Sequence, residues 1–140
     1  MATVEYLHVC DLAFAMEGGK QCVIGIFDTI YASAFPVVHP TMSIAARFRG
    51  SPNEVLQIKI EMGRPNGDVL VSMQGDMTLG ADGSMFMQMN IAGAQFPEAG
   101  RYAFRVSAGG QVLTTHSLQV LKAQPGMQST PPGLPPKQFH

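Results

Sequence analysis

Charged side chains are scarce in this 140-residue chain, at 14% of the total against about 25% in an average soluble domain. So few charges leave little to coat the solvent faces of long helices. No stretch sustains the i, i+3, i+4, i+7 apolar spacing of an amphipathic helix with capping residues at its ends. Apolar runs stop well short of the roughly 20 residues that cross a bilayer as a helix. The opening Met-Ala-Thr-Val-Glu-Tyr has no basic segment and Asp11 interrupts the apolar residues that follow, so no secretory signal is read and a cytoplasmic protein is expected. Cysteine is nearly missing too: Cys10 and Cys22 lie on either side of the turn-like Glu17-Gly18-Gly19-Lys20. Strands flanking that turn would bring the thiols near each other. In a reducing compartment two inert buried thiols are expected, with a disulfide as the alternative.

The net charge of −1 is unevenly placed. Lys122 and Lys137 are the only charged residues from position 122 onward, which leaves seven basic against ten acidic residues before them. A weakly acidic body does not attract phosphate backbones or anionic lipid, so neither nucleic acid nor a membrane is an expected partner.

What the sequence does hold is period-two alternation, the mark of strands. Met42, Ile44, Ala46 and Phe48 share one face while Arg47 and Arg49 take the other, and Leu56 to Met62 alternates in the same way. Arg64-Pro65-Asn66-Gly67-Asp68 reads as a hairpin of type I′, with the chain returning through Val69, Val71 and Met73. A second turn, Gly80-Ala81-Asp82-Gly83, leads into Met85, Met87, Met89 and Ile91 on one face. Methionines in such a row either fill a core or form an adaptable binding surface, and core filling is the expectation. In Glu98-Ala99-Gly100-Arg101-Tyr102-Ala103-Phe104 the order acid-x-Gly-x-Tyr-x-hydrophobe matches a tyrosine corner, with Phe104 where antibody domains carry a cysteine. Val4 to Phe14, Cys22 to Thr29 and Gln111 to Leu121 supply further strands, and Tyr31 to Pro40 is the longest irregular connection.

About eight strands at roughly 8–12-residue spacing predict an all-β fold, an immunoglobulin-like antiparallel sandwich over residues 1–121. Residues 122–140 are rich in proline and glycine and read as a disordered tail. Within it, Pro132-x-x-Pro135-x-Lys137 has the spacing of a polyproline II ligand.

Val23-Ile24-Gly25-Ile26-Phe27-Asp28-Thr29-Ile30, with Phe35-Pro36, His39-Pro40, Phe96-Pro97 and Gly100-Arg101-Tyr102, resembles a family of small bacterial proteins classed as a domain of unknown function. The resemblance implies an immunoglobulin-like sandwich in a bacterial cytoplasm and brings no activity or site with it.

Reactive constellations are few. His8 and Cys10 would share a strand face, with Cys22 across the turn, but the close Cys-x₂₋₄-Cys or His-x₃₋₅-His pairs of structural zinc sites do not occur. No metal and no cofactor are expected. His39 reads as a solvated or turn-stabilising loop residue, His116 as a half-buried, hydrogen-bonded one, and His140 as terminal. Ser33, Ser43, Ser51 and Ser84 lack a nucleophile elbow. Gly18-Gly19-Lys20 precedes Gln21 where a phosphate loop needs Ser or Thr, so it reads as a hairpin turn. Asp28, after an apolar run, reads as a partly buried structural carboxylate. The functional expectation is a non-enzymatic interaction or structural module, binding a protein partner or itself. The alternative is a small-ligand-binding or hydrolytic protein whose site gathers His39, Asp28 and His116 at one end of the sandwich.

Overall fold

Leu56, Ile58, Ile60 and Met62 are buried while Gln57 and Lys59 between them face solvent, and this alternation builds the sheets. The computed structural model describes residues 2–124 and forms nine strands among them. They are β1 Thr3–Ala15, β2 Gln21–Ile26, β3 Thr29–Ala32, β4 Val37–Arg49, β5 Val55–Gly63, β6 Val69–Thr78, β7 Ser84–Phe96, β8 Gly100–Ala108 and β9 Gln111–Lys122. One sheet has the order β2-β1-β4-β7 and the other β3-β9-β8-β5-β6. All pairings are antiparallel except β3 with β9. The two sheets enclose a core in which Tyr102, Phe48, Phe96 and Phe104 are the largest buried side chains.

The tyrosine corner is present as expected. Tyr102 donates its hydroxyl to the Glu98 carbonyl at 2.7 Å and accepts from the Glu98 amide at 3.2 Å, with its ring edge-on to Phe96 at 5.0 Å. Both groups of one backbone residue are thus satisfied by one phenol at a buried sheet corner.

Four local expectations are corrected by tertiary pairing. The strand expected from Cys22 to Thr29 breaks at Phe27-Asp28, because Thr29 to Ala32 crosses to the second sheet and pairs with Gln119 to Lys122. The loop expected from Tyr31 to Pro40 shrinks to 33–36, because Val37, Val38 and His39 pair with Phe96, Gln95 and Ala94 of β7. Pro40, which has no N–H to give, stands across from Gly93, whose φ is +66°, at the one unpaired position of an otherwise continuous register. His39 is consequently a buried strand residue, 2% exposed, in place of a solvated loop residue. The Arg64–Asp68 hairpin forms, but with positive φ at Gly67 alone, +95°. Gly67 N–H bonds the Arg64 carbonyl and Arg64 N–H the Asp68 carbonyl, so Pro65 and Asn66 make a type I turn closed by one left-handed glycine, not the type I′ turn expected.

β1 divides its pairing. Thr3 to Cys10 lies along β4, while Cys10 to Ala15 pairs with β2 to make a two-stranded arm. Beneath the arm, Cys10, Ala13 and Ala45 form a second small core with Val23. Gln21 at the arm's end bonds the Tyr6 hydroxyl and reaches Met87 O of β7 at 3.2 Å. This cover explains why Ser43 and Ala45, on the outward face of β4, are as buried as its core-facing residues. β9 ends at Lys122, and the tail motif Pro132 to Lys137, like His140, lies outside the described residues.

Candidate functional site

On one side of the sandwich the last strands of the two sheets, β6 and β7, are not paired with each other. Among the described residues each is hydrogen-bonded along one edge only, β6 to β5 and β7 to β4. Natural edge strands are usually shielded by charge, proline or shortness. Here β7 runs for 13 residues with no charge and no proline, and β6 carries one charge, Asp76.

The seam between them opens into a largely apolar groove of about 290 Å³ walled by Ile58, Ile60 and five methionines, Met73, Met77, Met85, Met87 and Met89, with Gln74 and Asp76 at its margin. Its cause is legible in the register. Met73, Gly75 and Met77 oppose Ile60, Ile58 and Leu56, which places Gly75 at an inward position of β6. Nothing lies within 4 Å of the point where its Cβ would be, so the missing side chain leaves the core uncovered there. Met85, Met87 and Met89 pack against the core from β7 while remaining partly exposed. A second hollow of about 440 Å³ continues past Met73 along Leu70, Val71, Ile91 and Gly93. The methionine row is therefore core lining and groove wall at once.

A larger hollow of about 570 Å³ lies over the outer face of the second sheet, floored by Gln57, Lys59, Gln74 and Asp76 beside Gly109-Gly110. These are ordinary solvent-facing side chains, so nothing there is desolvated ahead of a ligand. The methionine groove is the better-built site.

Of the residues singled out for chemistry, Asp28 and His116 act on each other electrostatically. Asp28 is exposed, correcting the expectation of a partly buried carboxylate; its carboxylate accepts from Thr29 Oγ1 at 3.1 Å, and its backbone carbonyl, not its side chain, holds Gln119 N–H. His116 is half-buried, as expected, but its Nε2 is buried without a hydrogen-bond partner. Burial, then the neighbouring His8, lowers its pKa, and Asp28 opposes them. His39 packs its ring on Phe27 at 5.6 Å; burial lowers its pKa, with the charge of Asp11 opposing. Among the described residues no hydrogen bond joins His39, Asp28 and His116.

Cys10 and Cys22 are free thiols. Cys10 opposes Ile26 and Cys22 opposes Phe14, so they sit four residues apart in register, roughly 13 Å along the strands. Cys10 gives its thiol to the Ser43 carbonyl at 3.5 Å, and burial raises its pKa, away from the reactive thiolate. His8 stacks on Tyr6 at 5.2 Å. Among the described residues no group of three or more His, Cys, Asp or Glu is placed to hold a metal ion.

Sequence reasoning passed over Gly75. An isolated glycine inside a strand pattern marks a close backbone approach or a gap, and that was the signal available.

The chain belongs to the family of unknown function DUF6941, whose profile matches residues 5–121. Among solved structures it is similar to the alkylpurine DNA glycosylase AlkC of Pseudomonas fluorescens bound to DNA containing an abasic site analog, at 9% identity and a TM-score of 0.57. That match covers 86% of this chain, which spans only 30% of the glycosylase. It is also similar to an immunoglobulin-like protein from Pseudomonas aeruginosa at 11% identity and a TM-score of 0.43, over 86% of this chain and 96% of that one. No curated protein matches the sequence. At such identities the likeness concerns fold alone, and the fold is an all-β sandwich of two sheets.

Proposed function

We propose that this chain is a non-enzymatic protein-interaction module that accepts an extended, largely apolar polypeptide segment at the seam between β6 and β7. The observation that carries the reading is the methionine-lined groove opened by Gly75 and flanked by two unpaired strand edges. A strand laid along β7 would satisfy free backbone groups and turn every second side chain into the groove, the geometry of strand addition. Methionine suits this task because its flexible, polarisable side chain adapts to different apolar partners. The setting proposed is a bacterial cytoplasm, in keeping with two unpaired thiols.

The ten methionines make the test direct. With ¹³C-methyl methionine, a panel of alternating Val/Thr and Leu/Ser dodecapeptides is titrated against scrambled, charge-matched controls. Binding at the seam moves the methyl signals of Met73, Met85, Met87 and Met89 and leaves the buried Met42 and Met62 unmoved. Gly75→Ile fills the groove without strain and abolishes those shifts. A panel that moves none of the four seam methyls at millimolar peptide sinks the reading.

A further inference from the structure

Where two sheets pack, the space of roughly 10 Å between them is normally filled by side chains from both sides. At the seam one side is missing. Gly75 takes an inward position on β6, opposite Ile58, and nothing lies within 4 Å of the point where its Cβ would be. A side chain entering from a strand added along β7 must span its own half of that space and the half that Gly75 leaves open. Alanine, threonine and valine are too short to do so. The opening is also wide enough for a ring: its volume is about 290 Å³, and a dry apolar cavity of about 150 Å³ already takes up benzene. Leucine leaves part of the space empty, and the atoms lining a void forfeit their contacts.

The wall decides between the long side chains. Met73 and Met77 on β6 and Met85, Met87 and Met89 on β7 bring five thioethers to one groove. Sulfur is attracted to an aromatic ring, often at its edge, and an aliphatic side chain gains nothing from that contact. An aromatic residue also immobilises two torsions where a methionine of similar reach loses three. Charge adds a second requirement. Asp76 is the only charged residue lining the groove, it is exposed, and among the described residues no salt bridge engages it. A lysine or arginine can lay its aliphatic stem along the apolar wall and carry its charge to that carboxylate at the margin. An acidic residue in the same place is repelled.

Given the seam as the peptide site, on which this reading depends, we infer that its partner is an extended segment anchored by one large aromatic side chain at Gly75, with a lysine or arginine two positions away. The period of a strand returns every second side chain to the same face, so anchor and cation both enter the groove. Gly75 sets the depth of the slot, the methionine sulfurs its preference for a ring, and Asp76 the sign of the flanking charge.

The full chain is titrated with dye-labelled dodecapeptides that differ at one central inward position (Phe, Trp, Leu, Val or Ala) and at the inward position two residues on (Lys, Gln or Glu). Fluorescence anisotropy gives Kd, and the methyl signals of Met73, Met85, Met87 and Met89 place the contact. Phe and Trp are expected ahead of Leu and at least about tenfold ahead of Val and Ala. Lys is expected to exceed Glu by roughly threefold at low salt, a difference that Asp76→Asn removes. Gly75→Ala, whose added Cβ meets open space, shortens the slot and is expected to narrow the Phe-to-Val ratio by at least about threefold. Protein grown with norleucine in place of methionine keeps an apolar wall of the same shape without sulfur, and its Phe-to-Leu ratio is expected to fall about twofold. Seam binding with equal affinity for Phe, Leu and Val overturns the aromatic anchor while leaving the peptide site standing. So does a Phe preference that Gly75→Ala leaves intact. Equal affinity for Lys and Glu peptides overturns the basic flank, and peptides that move no seam methyl overturn the anchor and the peptide site together.

Discussion

Strands β7 and β8 carry the same alternation in sequence and reach different depths in the fold. In β8, between β5 and β9, Tyr102 and Val106 are fully buried and Phe104 is 1% exposed. In β7, at the edge of its sheet, Met85, Met87 and Met89 face the same core and stay partly open to solvent. Period two states which face a side chain takes; the number of neighbouring strands decides how deep that face lies. A side chain with a strand on both flanks loses its water from every direction. One on an edge strand keeps an open flank unless its cross-sheet neighbour fills the space, and at β6 that neighbour is Gly75. The closed region is therefore where stability resides, and the open one is free for contact.

Truncation is the harshest way to break this comparison. Phe104→Ala should lower unfolding free energy by about 3–5 kcal/mol, as expected for a large buried aromatic, while Met87→Ala should cost about 1 kcal/mol. Urea titration of both variants checks the contrast, and equal losses would remove it. Next in size comes Tyr102→Phe, which keeps the packing on Phe96 and deletes the corner bonds to Glu98; a loss of about 1 kcal/mol is expected, with faster hydrogen exchange at the Glu98 amide. No change in either readout would demote the corner to packing alone.

Acidification probes the closed region differently. Burial holds the pKa of His39 down, against the charge of Asp11, and that of His116 is also lowered by burial. The unfolded chain protonates both as pH falls through about 6.5, and the folded chain resists, so protons favour unfolding below that pH. Melting temperature should be steady above about pH 7 and fall toward pH 5, with a shallower fall in His39→Gln. A flat profile in the wild type would mean that His39 is not held neutral by its surroundings. The smallest effect has the opposite sign. Gly75→Ile covers apolar surface at the open seam and should raise stability by up to about 1 kcal/mol; a loss would mean the gap is already closed.

Local chemistry carried much of this fold. The tyrosine corner was readable because one phenol needs one backbone residue four positions upstream, and glycine turns because their backbone is local. His39 was misread for the opposite reason. Its neighbours Val38 and Pro40 suggest a loop, and only pairing with Ala94 of β7 makes it a buried strand residue. Asp28 follows an apolar run yet lies exposed, because the chain changes sheets at that point. The groove escaped notice because Met85, Met87 and Met89 are far in sequence from Gly75's neighbours on β5.

By itself the sequence determined most of the strands, their inward faces and most of the turns, since each of these follows from residues within a few positions of one another. Tertiary structure alone decided which strands end the sheets, which apolar rows are sealed, and how β1 leaves β4 to form an arm. Those outcomes depend on pairing between distant segments, and alternation is the same on an edge strand as on a central one. The scarcity of charge read at the outset thus acquires a location: it leaves β7 an uncharged edge, and this edge borders the seam at which contact is proposed.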